Sequence, residues 1–178
     1  KSKTAFAVAD IEGVEISHKR FLTGVLLFSK KIAEYSPEQN VGLLLPSSGG
    51  GAIASIAILS LGKTIVNLNF TAGKKALQSA AEQAEVKHIY TSRKFLDKML
   101  ERGMDLESFF PKSKLLMLED IREEISSLSR IGTLLKAILF PVSIIRKRYF
   151  KEVSMSDTAA ILFSSGSEGS PKGVELSH

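Results

Sequence analysis

A strand that is apolar on both faces is stable only between two layers of cover, and this chain repeats such strands with helical stretches between them. Val41-Gly42-Leu43-Leu44-Leu45 is the first, and Pro46-Ser47-Ser48-Gly49 breaks it. Residues 52–61 follow as an Ala/Ile/Leu helix without a polar face, stopped by Gly62, and a helix apolar all round is expected to lie buried. Ile65-Val66-Asn67-Leu68 is the next strand. Residues 74–85 then form a helix facing inward through Ala76, Leu77, Ala80, Ala81 and Ala84, and His88-Ile89-Tyr90-Thr91 a further strand. Leu115-Leu116-Met117-Leu118 and the run 159–163 add two more. This alternation predicts an α/β fold, a layered and mostly parallel sheet flanked by helices. With 178 residues, 44% of them hydrophobic, the chain can enclose one such core as soluble globular proteins do.

Upstream of the first buried strand, residues 4–10 and 14–17 flank Ile11-Glu12-Gly13 and read as an N-terminal β-hairpin. Ser17 stands where it could cap a helix running from His18 to about Tyr35. Phe21, Leu22, Val25, Leu26, Ser29 and Ile32 recur there at helical spacing, and Pro37 ends the run. This helix reads as an ordinary packed one rather than a partner surface. Lys1 is not followed by a charged-then-apolar leader, and the chain is expected to be a segment of a longer gene.

One stretch departs from the pattern. Residues 131–145 are apolar apart from Lys136 and a few small polar side chains, contain Pro141, and lead into Arg146-Lys147-Arg148-Tyr149-Phe150-Lys151. As a single helix the run would reach about 22 Å, short of the roughly 30 Å of a hydrocarbon core, so it is not expected to span a membrane. Two readings stay open: a core helix whose basic end complements its own dipole, and a membrane-surface contact through 131–151 made by apolar insertion and cationic attraction.

The remaining ionisable residues carry little chemistry. The net charge of +5 raises nucleic acid as a partner, but cations and anions are mixed through most of the chain and no nucleic-acid module is recognisable, so none is expected. His18, His88 and His178 lack metal-ligand spacing, and His88 reads as structural. Glu119, Asp120, Glu123 and Glu124 read as a solvated helix start. With no cysteine, thiolate nucleophiles and disulfides are excluded within this chain.

The stretch with the most chemistry is Phe163-Ser164-Ser165-Gly166-Ser167-Glu168-Gly169-Ser170-Pro171-Lys172-Gly173. Glycines let the backbone present successive N–H groups, the serines add hydroxyl donors, and Lys172 adds an ammonium, a combination suited to polyphosphate. Neither G-x-x-x-x-G-K-[ST] nor G-x-G-x-x-G is satisfied, which excludes a Walker loop and a kinase-type loop. The bland alternative is a flexible Gly/Ser tail. Against it stands the order of elements, because a loop leaving the carboxyl end of a strand lies where open α/β sheets hold ligands.

These residues resemble the phosphate loop of the adenylate-forming, AMP-binding superfamily, which includes acyl-CoA synthetases, acyl-ACP synthetases, luciferases and peptide-synthetase adenylation domains. Leu68-Asn69-Phe70-Thr71-Ala72-Gly73, the segment 90–98 and the Ser-Gly-Ser-Glu-Gly form of the loop are together similar to one branch, the acyl-ACP synthetase half of the bacterial bifunctional 2-acylglycerophosphoethanolamine acyltransferase/acyl-ACP synthetase. The resemblance implies that residues 1–178 are the N-terminal segment of the AMP-binding domain, ending just after the loop at 163–173. It implies ATP and Mg²⁺ as cofactors, a fatty acid substrate, acyl carrier protein as partner, and a peripheral place on the cytoplasmic side of the bacterial inner membrane. Ser164, Ser165, Gly166, Ser167, Gly169 and Lys172 would wrap the β- and γ-phosphates, within a binding set that also takes in Glu168, Ser170 and Gly173. Lys172 would be the catalytic residue, neutralising charge on the leaving pyrophosphate. Glu168 stands where the superfamily usually has threonine. The family's adenine motif, ribose-binding aspartate and mobile-domain lysine would lie beyond His178, so this segment alone is expected to be inactive. Two other readings remain: a non-catalytic phosphate- or membrane-binding module, and an acyl-CoA synthetase or other adenylation domain.

Overall fold

The computed structural model describes residues 6–10, 13–164 and 171–178. The chain opens with a hairpin of β1 (Phe6–Ala9) and β2 (Glu15–Ser17), antiparallel, with Phe6 opposite Ser17. The sequence hairpin therefore holds, although residues 4, 5, 11 and 12 lie outside the described part. Helix α1 (His18–Tyr35) follows, with Ser17 in the capping position but making no side-chain cap bond.

Strand β3 (Asn40–Leu43) lies inside a six-stranded sheet. After it come α2 (Gly49–Ser60), β4 (Thr64–Asn67), α3 (Lys74–Gln83), β5 (His88–Thr91), α4 (Arg93–Leu100), a 3₁₀ turn at Glu107–Phe109, β6 (Lys114–Met117) and α5 (Leu118–Glu124). Helices α6 (Ser127–Leu139) and α7 (Val142–Tyr149) precede β7 (Thr158–Ser164) and β8 (Lys172–Ser177). The strand order is β6-β5-β3-β4-β7-β8, parallel throughout except for β8, which runs antiparallel to β7. This is the α/β architecture that the alternating pattern predicts.

Period-two alternation sorts the strand side chains into two cores. Val41 and Leu43 of β3, Ile65 of β4 and Tyr90 of β5 pack with Val25, Ile32, Ala54, Ala57, Ile58 and Ile121 from α1, α2 and α5. Leu44, Val66 and Ile89 point the other way, among Leu77, Ala80 and Ala81 of α3 and Phe95, Leu96 and Met99 of α4. Leu44, Ile58, Ile89 and Val41 are each 0% exposed. Full burial of an aliphatic side chain contributes about 1.5–3 kcal/mol, so the sheet-to-helix contacts dominate stability.

Several sequence expectations change on contact with the structure. Helix α2 starts at Gly49, three residues before the expected 52, because the Ser48 hydroxyl accepts the Gly51 N–H at 3.1 Å and caps it. A Cβ on Gly49 would come within 2.7 Å of Ile16 Cδ1, so a glycine there lets the hairpin close on the helix. The helix is mostly covered, as its composition requires, although Ile56 is 38% exposed. Residues 131–145 are neither one helix nor a core helix. Pro141 has no N–H to give, and the chain turns extended at Phe140 and Pro141 before α7 begins. No residue of α6 is buried.

Gly42 shows how tightly the sheet is covered. A Cβ there would lie 2.8 Å from both Ile89 Cγ1 and Val86 Cγ1 and 3.2 Å from the His88 carbonyl oxygen. Gly42→Val is expected to cost about 1–3 kcal/mol by overpacking, read as a lowered urea midpoint with an unchanged slope.

Tyr90 gives a second handle. It is 0% exposed, its hydroxyl lies 2.9 Å from Ser36 Oγ, and burial pushes its phenol up to about 12 from 10.0. The native state thus keeps a proton that the unfolded chain loses above pH 10, and stability is expected to fall as pH rises from about 10 towards 12. Tyr90→Phe should lose that slope in urea titrations across the same window.

Candidate functional site

The ends of the serine- and glycine-rich loop are held by β7 and β8. Ser164 is paired with Lys172 and Phe163 with Gly173 across the antiparallel ladder, so the two strands close the loop at a single rung. Ser164 Oγ lies 3.4 Å from the Lys172 carbonyl oxygen. Both residues are exposed; the Ser164 hydroxyl donates to that carbonyl, and the Lys172 ammonium has no salt bridge among the described residues. Ser165, Gly166, Ser167, Glu168, Gly169 and Ser170 lie outside the described residues. Lys172 and Gly173, placed in the loop by sequence reasoning, are the first two residues of β8.

The far side of the loop is anchored from the helix layer. Pro171 is buried and its carbonyl accepts a 3.3 Å hydrogen bond from Gln83 Nε2 at the end of α3. A Cβ on Gly173 would sit 3.2 Å from Phe163 Cε1, so the aromatic ring packs against the bare backbone of the returning strand. Neither contact was readable beforehand, since Gln83 is 88 residues from Pro171 and no local spacing links them.

Because β7 is parallel to β4 and β3, the loop opens on the carboxyl edge of the sheet, as the strand-then-loop order predicts. A cavity of about 450 Å³ opens on the same edge, lined by Asp10, Leu45, Pro46, Ser48, Ser55 and Asn67 among others. Asn67 is in register with Leu43 on one side and Leu162 on the other. The cavity therefore begins about one strand spacing, roughly 4.8 Å, from the strand that leads into the loop.

Two helix N-termini on this edge already have acceptors. At α2, the Gly49 N–H donates to Asp10 Oδ2 at 3.2 Å, alongside the Ser48 cap. At α4, Ser92 Oγ donates to Glu119 Oε1 at 2.8 Å and the Arg93 N–H to Glu119 Oε2 at 3.1 Å. At these two N-termini the carboxylates of the protein occupy the positions an anion would take.

Glu119 is accordingly not a simple solvated helix residue. It starts α5 as expected, yet is half-buried and braces the corner between β5 and α4, while Asp120 pairs with Arg93 and Glu124 with Lys31 and Tyr35. His88 holds the structural role expected, its Nδ1 2.8 Å from Glu38 Oε1 at the opposite edge of the sheet. Among the described residues, no group of three or more His, Asp or Glu is placed to hold a metal ion.

The sequence matches the AMP-binding enzyme family across residues 2–178. The chain belongs to that family. Among curated relatives, this AMP-binding chain is 26% identical over 142 residues to the nonribosomal peptide synthetase vlms of Lecanicillium sp., a stretch covering 80% of this chain and 1% of the relative. Among solved structures it superposes on VinN in complex with 3-methylaspartate with a TM-score of 0.69 at 16% identity, covering 99% of this chain and 44% of that one. The O-succinylbenzoate coenzyme A synthetase MenE of Bacillus subtilis, in complex with AMP, gives a TM-score of 0.64 at 16% identity, covering 97% and 38%. The chain thus spans less than half the length of these relatives. At such identities the structural likeness establishes the fold, the N-terminal part of the AMP-binding enzymes.

Burial raises the Glu119 carboxyl, but the hydrogen bonds from its own backbone amide, Ser92, Arg93 and Lys94 outweigh it and hold the group below the ordinary 4.5. Its ionised form therefore stabilises the AMP-binding fold above that pH, and the contribution is lost as pH falls through the native value. Glu119→Gln is expected to flatten the decline of the urea midpoint below pH 4.5, with little change in slope near neutrality.

Proposed function

We propose that this chain is the phosphate-holding N-terminal segment of an ATP-dependent ligase that activates a fatty acid as acyl-AMP and passes the acyl group to acyl carrier protein. The observation that carries the reading is the β7–β8 pair, which fixes both ends of a serine- and glycine-rich segment at the carboxyl edge of the sheet in a chain matching the AMP-binding family over residues 2–178. The Ser-Gly-Ser-Glu-Gly form of the loop and residues 68–73 and 90–98 favour the acyl-ACP branch. The full protein would be fused to a lysophospholipid acyltransferase and sit peripherally on the cytoplasmic side of a bacterial inner membrane.

The residues at the loop mouth fit a polyphosphate. Ser164 and Lys172 are exposed, adjacent and without a competing carboxylate salt bridge among the described residues. A fatty acid carboxylate oxygen would attack the α-phosphorus of ATP, forming the acyl–phosphate bond as the bond to the β-phosphate oxygen breaks and pyrophosphate leaves. The thiol of the carrier's phosphopantetheine arm would then take the acyl carbon, lose its proton and release AMP. In the first step the ammonium of Lys172 offsets charge growing on the leaving group, and the Ser164 hydroxyl with the loop N–H groups of 165–170 positions it. Mg²⁺ would be held chiefly through phosphate oxygens, as this ion commonly is.

A second reading, an adenylation domain acting on an amino acid, has its own support in the peptide-synthetase relative, and a synthetase delivering to coenzyme A is the other alternative within the family. Pyrophosphate exchange separates the acid that is activated, and acyl transfer to carrier protein or to coenzyme A separates the acceptors. Full-length protein is expected to exchange pyrophosphate into ATP only with fatty acid present, and Lys172→Ala should lower that rate roughly 100-fold, the scale of a lost transition-state charge contact. Exchange driven by an amino acid instead would establish the second reading. No exchange with either, in folded protein, would leave a binding module.

A further inference from the structure

The loop and its chemistry leave unused the most conspicuous surface of the molecule, helices α6 and α7. Leu128, Ile131, Leu135, Ile138 and Leu139 are 82%, 57%, 49%, 45% and 70% exposed. Their spacing of i, i+3, i+7, i+10 and i+11 confines them to an arc of about 100° on α6. Val142, 77% exposed, carries apolar surface past the Pro141 break. A monomer rarely leaves so continuous an apolar stripe to water.

Charge identifies what covers it. Between Glu124 and Glu152 the chain holds Arg130, Lys136, Arg146, Lys147, Arg148 and Lys151 and no Asp or Glu. The whole chain has 24 Lys/Arg and 19 Asp/Glu; with these six set aside, 18 remain against 19, so this one segment accounts for the entire positive balance. Arg146, Lys147 and Arg148 form no salt bridge among the described residues, although cations elsewhere on the surface do. A cleft of about 600 Å³ between α1, α6 and α7 collects Lys30, Lys136 and Arg148 with the hydroxyls of Ser129 and Thr133, and Leu128 lies on its lip. No carboxylate lines it.

We propose that this face docks on an anionic phospholipid surface, with the α6 stripe inserted among acyl chains and lipid phosphate seated in the Lys30/Lys136/Arg148 cleft. An interfacial helix requires an apolar face beside a cationic one, and a protein partner for the same stripe would have to bring an excess of acid to match it. Helix α6 lies on the surface rather than across it, since no helix among the described residues is long and apolar enough to cross a membrane. The proposal rests on the peripheral placement proposed above and is independent of the acyl chemistry.

The test uses the full-length protein with an environment-sensitive dye at Leu139→Cys, in a background freed of other reactive cysteines, as this segment already is. Glu107→Cys, exposed in the opposite layer, is the control. The dye at position 139 is expected to shift to the blue on vesicles of phosphatidylglycerol and phosphatidylethanolamine but not on phosphatidylcholine alone, with no shift at 107. Lys136→Ser/Arg148→Ser should lower partitioning onto the anionic vesicles at least tenfold at low salt while fatty-acid-dependent exchange persists. A dye already shielded before lipid is added would mean that the rest of the protein or a second copy covers the stripe. That result, an unshifted dye, or binding indifferent to the charge variant would each overturn the proposal. Lost exchange with intact vesicle response would instead count against the ligase reading alone.

Discussion

The fold depends on β3 having no solvent side. Its Val41 and Leu43 belong to the core under α1 and α2, Leu44 just beyond it belongs to the core under α3 and α4, and Gly42 leaves room for Val86 and Ile89. A strand buried on both faces must find parallel neighbours and two helical layers at once, so register and connection order are settled together. The side-chain bonds crossing β3 add to this fixity. Thr91 Oγ1, fully buried, donates to the Leu44 carbonyl at 2.8 Å, tying β5 to the chain where β3 ends.

That rigid centre explains where the chemistry can be. Strands parallel to β3 end on one edge; the segments after β3 and β5 lead into α2 and α4, whose N-termini are filled by Asp10, Ser48 and Glu119, those after β4 and β6 lead into α3 and α5 without a side-chain cap, and β7 leads into the serine-rich segment. Capping these donors with protein side chains stabilises α2 and α4, and the serine-rich stretch after β7 is tied down at its ends instead. Gln83 and Phe163 then hold the two sides of that stretch, one through a carbonyl and one through ring packing against a glycine.

How much of this the sequence disclosed follows from the range of the interactions. Short apolar or β-branched runs are local information, and β3, β4, β5, β6 and β7 can be read from them, although burial on both faces holds for β3, β4 and β5 and not for β6 and β7, whose residues are mostly half-buried. Helix α4 also leaves a local trace, Ser92 standing before Phe95, Leu96 and Met99, and the Ser92 hydroxyl oxygen accepts the Phe95 N–H as its cap. The division of residues 131–145 at Pro141 was legible in principle, since a proline without an N–H ends a helix more reliably than an apolar run extends one. An apolar count leaves a core position and a membrane-surface position both open, since it does not say on which side of a helix the covering layer is missing. The Glu119 bonds to Ser92 and Arg93, the Gln83 bond to Pro171 and the convergence of Lys30, Lys136 and Arg148 join residues far apart in the chain, and nothing but the folded arrangement brings them together.

Strand β8 is exposed along its whole length, and among the described residues it pairs with β7 alone. The Thr158 hydroxyl donates a 2.9 Å hydrogen bond to Glu175 Oε2 from one strand to the other. The return strand is thus fastened to β7 by side chains as well as by the backbone ladder, which fixes the position of Lys172 relative to the strand before it.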